Sequence, residues 1–145
     1  VARKIARVSK DASMTAAALL HDVVEDTIHE IDDVERYCGR EVADLVGELT
    51  CALTPEDGNR RRRKAVERER LSQVSPAAAT IKYADIIDNV GDLVMAAPEF
   101  ASIYLPEQRD LLNVMTQGQR DLHTEAMNVV AAQQARLEAR QALVA

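Results

Sequence analysis

The chain has 145 residues, 47% hydrophobic and 29% charged, a balance that suits one globular domain and excludes a disordered tail, a collagen-like fibre or a low-complexity array. Aromatic residues make up only 3%, with no Trp, so neither a β-sandwich built around large rings nor a nucleic-acid reader with stacking platforms fits; Ala, Leu and Val must fill the core. The formal net charge of −6 repels nucleic acid and anionic membrane except at one basic run, residues 59–70, where seven Arg or Lys stand against two Glu and leave −11 for the rest.

Gly and Pro are absent before Gly39 and afterwards fall at plausible breaks, so the stretches between them read as helices. The predicted spans are 1–8, 13–25, 31–37, 40–53, 59–72, 76–97, 100–116 and 119–143. No apolar/polar alternation is sustained between turn residues, which predicts no sheet and an all-α single domain over 1–145, with 119–145 a long C-terminal helix. Cys38 and Cys51 have neither the number of a disulfide scaffold nor the spacing of a zinc or redox motif, which points to a reducing, cytoplasmic setting. The longest apolar run, from Thr15 to Leu20, is too short to cross a bilayer.

In the 13–25 span, Ala16, Ala17, Ala18, Leu19 and Leu20 cover every direction around the axis at about 100° per residue, which predicts a buried helix. It runs straight into His21, Asp22, Glu25 and Asp26. On a continuous helix these four share one sector, and three carboxylates buried beside one imidazole call for a cation. In the 76–97 span, Tyr83, Ile86, Ile87, Val90, Leu93 and Val94 form an apolar arc. Asp85, Asp88, Asn89 and Asp92 gather opposite, either as a solvated acidic face or as ligands; one imidazole with two carboxylates suits a hard divalent ion. Tyr83 reads as core, His29 and His123 as surface residues, and Cys38 as unreactive. In the last helix Leu122, Ala126, Met127, Val129 and Val130 serve either to cover the core or to pair with a second subunit, so a homo-oligomer stays open.

The run from Ala18 to Thr27, with its His-Asp-x-x-Glu-Asp element, resembles the signature of HD-domain phosphohydrolases, in particular the RelA/SpoT-type guanosine tetraphosphate 3′-pyrophosphohydrolases of the stringent response. The likeness continues through the acidic helix, the Tyr37-Cys38-Gly39 turn and the Glu41-Val42-Ala43 helix. It resumes at Lys82, Tyr83, Ala84, Asp85 and Asn89, similar to the family's Lys-Leu-Ala-Asp-x-x-x-Asn.

The resemblance implies a helical HD-domain bundle in which His21, Asp22 and Asp85 hold one divalent metal, usually manganese, and Glu25 and Asp26 position and deprotonate the attacking water. It places Asn89 beside a nucleotide substrate and makes Asn59, Arg63 and Lys64 the substrate contacts of the basic run, where Arg can grip phosphate bidentately. A solvated basic face is the alternative for that run. The family's first metal-ligand His falls just ahead of the pair that looks like Val1-Ala2, so the N-terminus reads as incomplete. Ile86 and Asp88 stand where the family has Arg and His. The expected function is metal-assisted hydrolysis of a nucleotide polyphosphate, with no nucleic-acid or membrane partner. The alternative is an HD-fold module for nucleotide sensing or protein assembly without turnover.

Overall fold

A computed structural model describes residues 1–144, and among these the chain is helical with no strand. In order, the helices are α1 (Ala2–Val8), α2 (Ala12–Leu20), α3 (Val23–Asp26), α4 (Ile31–Cys38), α5 (Arg40–Leu49), α6 (Arg60–Leu71), α7 (Pro76–Val90), α8 (Leu93–Ala96), α9 (Pro98–Val114) and α10 (Arg120–Val144), with a 3-10 turn at Pro55–Asp57 before α6. Local capping sets several starts. The Asp11 carboxylate accepts the Ser13 and Met14 N–H groups, Asn59 accepts that of Arg62, and Ser75 accepts that of Ala78 ahead of Pro76 in the first turn of α7.

Helix α7 is the axis of the core. Ile81, Tyr83, Ala84, Ile86 and Val90 are fully buried on it; α10 packs along one side, and α1, α2 and α5 pack on others. Leu122, Ala126 and Val130 of α10 are buried, so the long helix covers the core, the first of the two roles open to it. The Tyr83 hydroxyl donates to the Met115 carbonyl at 2.6 Å and accepts the Gly118 N–H at 3.2 Å, tying the turn before α10 to α7.

Two predicted helices are each broken in two. The 13–25 span ends at Leu20 because the His21 ring turns back, its Nδ1 3.1 Å from the Ala18 carbonyl, and α3 begins afresh at Val23. The 76–97 span stops at Val90, where the Gly91 carbonyl is taken by the Gln133 amide of α10, and α8 follows. The expectation that α2 is buried all round is also corrected: Leu19 is 72% exposed. His29 is exposed as expected, but His123 is half-buried, its Nε2 2.8 Å from the Leu112 carbonyl and its ring edge-on to Tyr83 with centroids 5.0 Å apart.

Gly118 lies so close to α7 that a Cβ there would meet the Tyr83 ring at 2.5 Å and the Thr80 nitrogen at 2.9 Å. Gly118→Ala is therefore expected to destabilise the fold by about 1–3 kcal/mol through overpacking. Gly47→Ala, whose nearest neighbour would be the Ile31 side chain at 3.8 Å, serves as the mild comparison in thermal melts.

Candidate metal and substrate site

The break between α2 and α3 places His21 and Asp22 opposite Asp85, which sits in the middle of α7. His21 Nε2 lies 3.1 Å from Asp22 Oδ2 and 3.3 Å from Asp85 Oδ1, and one ligand atom from each of the three residues falls within 4.8 Å of the others. Sixty-four residues separate His21 from Asp85 in sequence, so the fold assembles the cluster. A carbonyl only accepts, so Nδ1 carries a proton against Ala18; in the protonated ring Nε2–H donates to Asp85, and in the neutral ring the Nε2 lone pair points toward the carboxylates. That tautomer, one imidazole nitrogen and two carboxylate oxygens converging on one point, is a donor set that fits a divalent cation.

Asp85 is the buried member of the cluster, at 4% exposure. Lys82, one turn earlier on α7, donates to its Oδ2 at 2.8 Å, and Asn89, one turn later, donates to its Oδ1 at 2.8 Å. Burial works against the carboxylate charge, but the His21 hydrogen bond and the Lys82 ammonium outweigh it and hold the pKa down at about 2. The same hydrogen bond to Asp85 raises the pKa of His21 above its ordinary value, against the opposing effect of burial.

The two carboxylates of α3 are not buried with His21 as a continuous helix would place them. Asp22, Glu25 and Asp26 are all exposed, and the buried carboxylate comes from α7 instead. Glu25 is nevertheless fixed: its Oε1 accepts the Cys51 N–H at 2.7 Å, just beyond α5, and it forms part of the wall of a cavity of about 810 Å³. Asp26 lies outside that wall.

The far wall of the cavity is a face of α6, with Arg61, Lys64 and Arg68 at helical spacing, and α9 closes it with Tyr104 and Gln108. Most wall charges are already paired. Arg60 grips Glu107 with two bonds of 2.7 and 2.8 Å, and Arg68 lies 3.8 Å from Asp110. Burial pushes the Glu67 carboxyl up, but two hydrogen bonds from Arg70 outweigh it and keep its pKa below the usual value. Among the described residues, Arg61 and Lys64 are left with no acidic partner. The Gln108 side chain is buried, and its Oε1 has no protein partner.

Of the residues singled out in the basic run, only Lys64 faces the cavity. Asn59 spends its carbonyl oxygen on the Arg62 N–H at 3.0 Å, and Arg63 turns back to donate to the Gly58 carbonyl at 2.8 Å. Both fix the start of α6. Ile86 is fully buried in the core and Asp88 pairs with Lys4 of α1 at 2.5 Å, so these two departures from the family pattern lie away from the cavity wall. Sequence reasoning missed Arg61, Tyr104 and Gln108. For Arg61 a signal existed, since Arg61, Lys64, Ala65 and Arg68 follow the i, i+3, i+4, i+7 spacing of one helix face.

A helical bundle that brings a His-Asp pair against a distant Asp is the arrangement of the HD domain, and the profile of that domain matches residues 1–85. The chain belongs to the HD-domain family. It is 41% identical over 88 residues to the guanosine-3′,5′-bis(diphosphate) 3′-pyrophosphohydrolase MESH1 of Drosophila melanogaster and 39% identical over 89 residues to that of Homo sapiens, in each case covering 61% of this chain and 48% of the relative. The chain thus spans about half the length of these curated relatives. A solved structure described as a metazoan ortholog of SpoT that hydrolyses ppGpp and plays a role in starvation responses superposes with a TM-score of 0.79 at 26% identity, over 90% of this chain and 76% of the other. Among the described residues, no helix is long and apolar enough to cross a membrane.

Proposed function

We propose that this protein is a metal-dependent phosphohydrolase that removes pyrophosphate from the 3′ position of a guanosine polyphosphate, with manganese as its ion and the cytoplasm as its compartment. The observation that carries the reading is that the cluster of His21, Asp22 and Asp85 is tied through Lys82, on Asp85 Oδ2, to a cavity whose wall also carries two uncommitted cations, Arg61 and Lys64. The relatives named as guanosine-3′,5′-bis(diphosphate) 3′-pyrophosphohydrolases supply the substrate class.

His21 Nε2 and oxygens of Asp22 and Asp85 would hold the ion. When bound there, a divalent cation supplies Lewis acidity toward a phosphoryl oxygen and the attacking water. Glu25, held by the Cys51 N–H and facing the cavity, accepts the proton of the attacking water, and Asp26 assists. The new bond joins water oxygen to phosphorus, the bond from phosphorus to the ribose 3′ oxygen breaks, and that oxygen leaves as the 3′-hydroxyl by taking a proton from solvent, to which Glu25 returns the one it accepted. Lys64 and Arg61 take the phosphate charge, Asn59 and Arg63 keep α6 in the register that aims those two inward, and Asn89 lies along the nucleotide.

The test is hydrolysis of guanosine tetraphosphate with manganese, reading released pyrophosphate. Each charge-assisted phosphate contact contributes about 1.5–3 kcal/mol, so the Arg61→Ala, Lys64→Ala double variant is expected to raise KM by about 10² or more. Arg63→Ala, which loses a bond to Gly58, should shift KM only through the start of α6 and by far less. If the native protein releases no pyrophosphate under these conditions, the reading fails.

A further inference from the structure

Lys82 belongs both to the ligand cluster and to the cavity. It is the one residue of α7 in the cavity wall, and His21, Asp22 and Asp85 themselves are not part of that wall. Its Nζ is anchored at 2.8 Å on Asp85 Oδ2, while Asp85 Oδ1 faces His21 and Asn89. The side chain is one-quarter exposed. An ammonium carries three N–H donors, and among the described residues only Asp85 takes one. Two donors of a largely buried cation therefore remain for whatever fills the cavity, and its chemistry calls for an oxyanion.

We propose that Lys82 is a phosphate-contacting residue as well as the holder of Asp85: one N–H stays on Asp85 Oδ2, and the others take a terminal phosphoryl oxygen of a polyphosphate lying in the cavity. The inference rests on the reading of the cavity as a polyphosphate site and adds the residue that places the end of the anion next to the His21, Asp22 and Asp85 cluster. Arg61 and Lys64 on α6 and Lys82 on α7 then hold the anion from two helices.

The experiment is calorimetric titration of inorganic pyrophosphate into the metal-free protein kept in chelator, so that no step depends on turnover. Lys82→Met is expected to weaken pyrophosphate binding at least about tenfold, the loss of one charge-assisted contact, with Lys82→Arg close to native. Removing Lys82 also exposes the Asp85 charge, so the pair is tested together: Asp85→Asn frees the ammonium and should strengthen binding, and Lys82→Met with Asp85→Asn should fall below native although the pair's net charge is unchanged. Arg40→Ala, an exposed cation on α5, should leave binding unchanged. Should Lys82→Met fail to fold by circular dichroism, Lys82→Gln carries the same comparison. Native affinity in the double variant, or an equal loss in Arg40→Ala, overturns the role of Lys82 while leaving the cavity reading intact. Absence of pyrophosphate binding in the native protein overturns both, and a loss confined to the Arg61→Ala, Lys64→Ala variant upholds the cavity and removes Lys82 from it.

Discussion

Asp85→Asn is expected to lower divalent-metal affinity by at least about 10²-fold, because disturbing the partners of a ligand already costs 10–100-fold and here the ligand itself is lost. Hydrolysis should fall with it. The substitution keeps an oxygen for the Asn89 amide but removes the charge that answers both His21 and Lys82, leaving the Lys82 ammonium without its partner. Breaking such a largely buried pair costs about 3–5 kcal/mol, so the metal-free variant should also melt at a lower temperature. Asp88→Asn, one turn further along α7 and paired at the surface with Lys4 and the Val1 amino group, is expected to leave metal affinity nearly unchanged. Calorimetry with manganese on the three proteins checks this, and native affinity in Asp85→Asn would remove it from the ligand set. The raised pKa of His21 gives the pH dependence its sign. A metal must displace that proton, so apparent affinity climbs as pH rises through the His21 pKa and falls in acid.

The grouping of His21, Asp22 and Asp85 came from the likeness of their motifs to the HD-domain pattern, whereas residue type alone left Asp85, Asp88, Asn89 and Asp92 either a solvated acidic face or ligands; the structure brings the three together. The placement of Glu25 and Asp26 was not legible, since it assumed one continuous helix, and what ends α2 is a tertiary event: the His21 ring turned back on the Ala18 carbonyl with Nε2 drawn toward Asp85 on α7. The end of α7 was hidden for the same reason, as the Gly91 carbonyl is taken by Gln133, 42 residues away. Helix starts fared better, because Asp11, Asn59 and Ser75 act locally as caps. The basic run shows both sides. Its charge was plain, yet assigning Asn59 and Arg63 to substrate overlooked that residues near a helix start are claimed first by its own unpaired N–H groups and neighbouring carbonyls. His123 illustrates the limit: only the packing of α10 against the Leu112 carbonyl and beside Tyr83 turns a polar residue on a mixed helix into a half-buried one.

Glu25→Gln isolates proton transfer from everything else the side chain does. Gln presents the same carbonyl oxygen to the Cys51 N–H, so the tie between α3 and the end of α5 survives, and the isosteric amide fills the same part of the cavity wall. What it loses is the ability to accept a proton at neutral pH. General-base catalysis contributes about 10²–10⁴-fold, so kcat is expected to drop at least about 10²-fold with KM and manganese affinity close to native. Metal content and turnover must be read on the same sample, because a variant that lost its ion would lose activity for a different reason. Asp26→Asn separates the two carboxylates: an equal loss gives them one shared task, and a small one leaves the proton to Glu25, the residue that faces the cavity. Turnover unchanged in both variants would strip α3 of any role in activating water, and manganese lost from Glu25→Gln would move Glu25 into the ligand set with His21, Asp22 and Asp85.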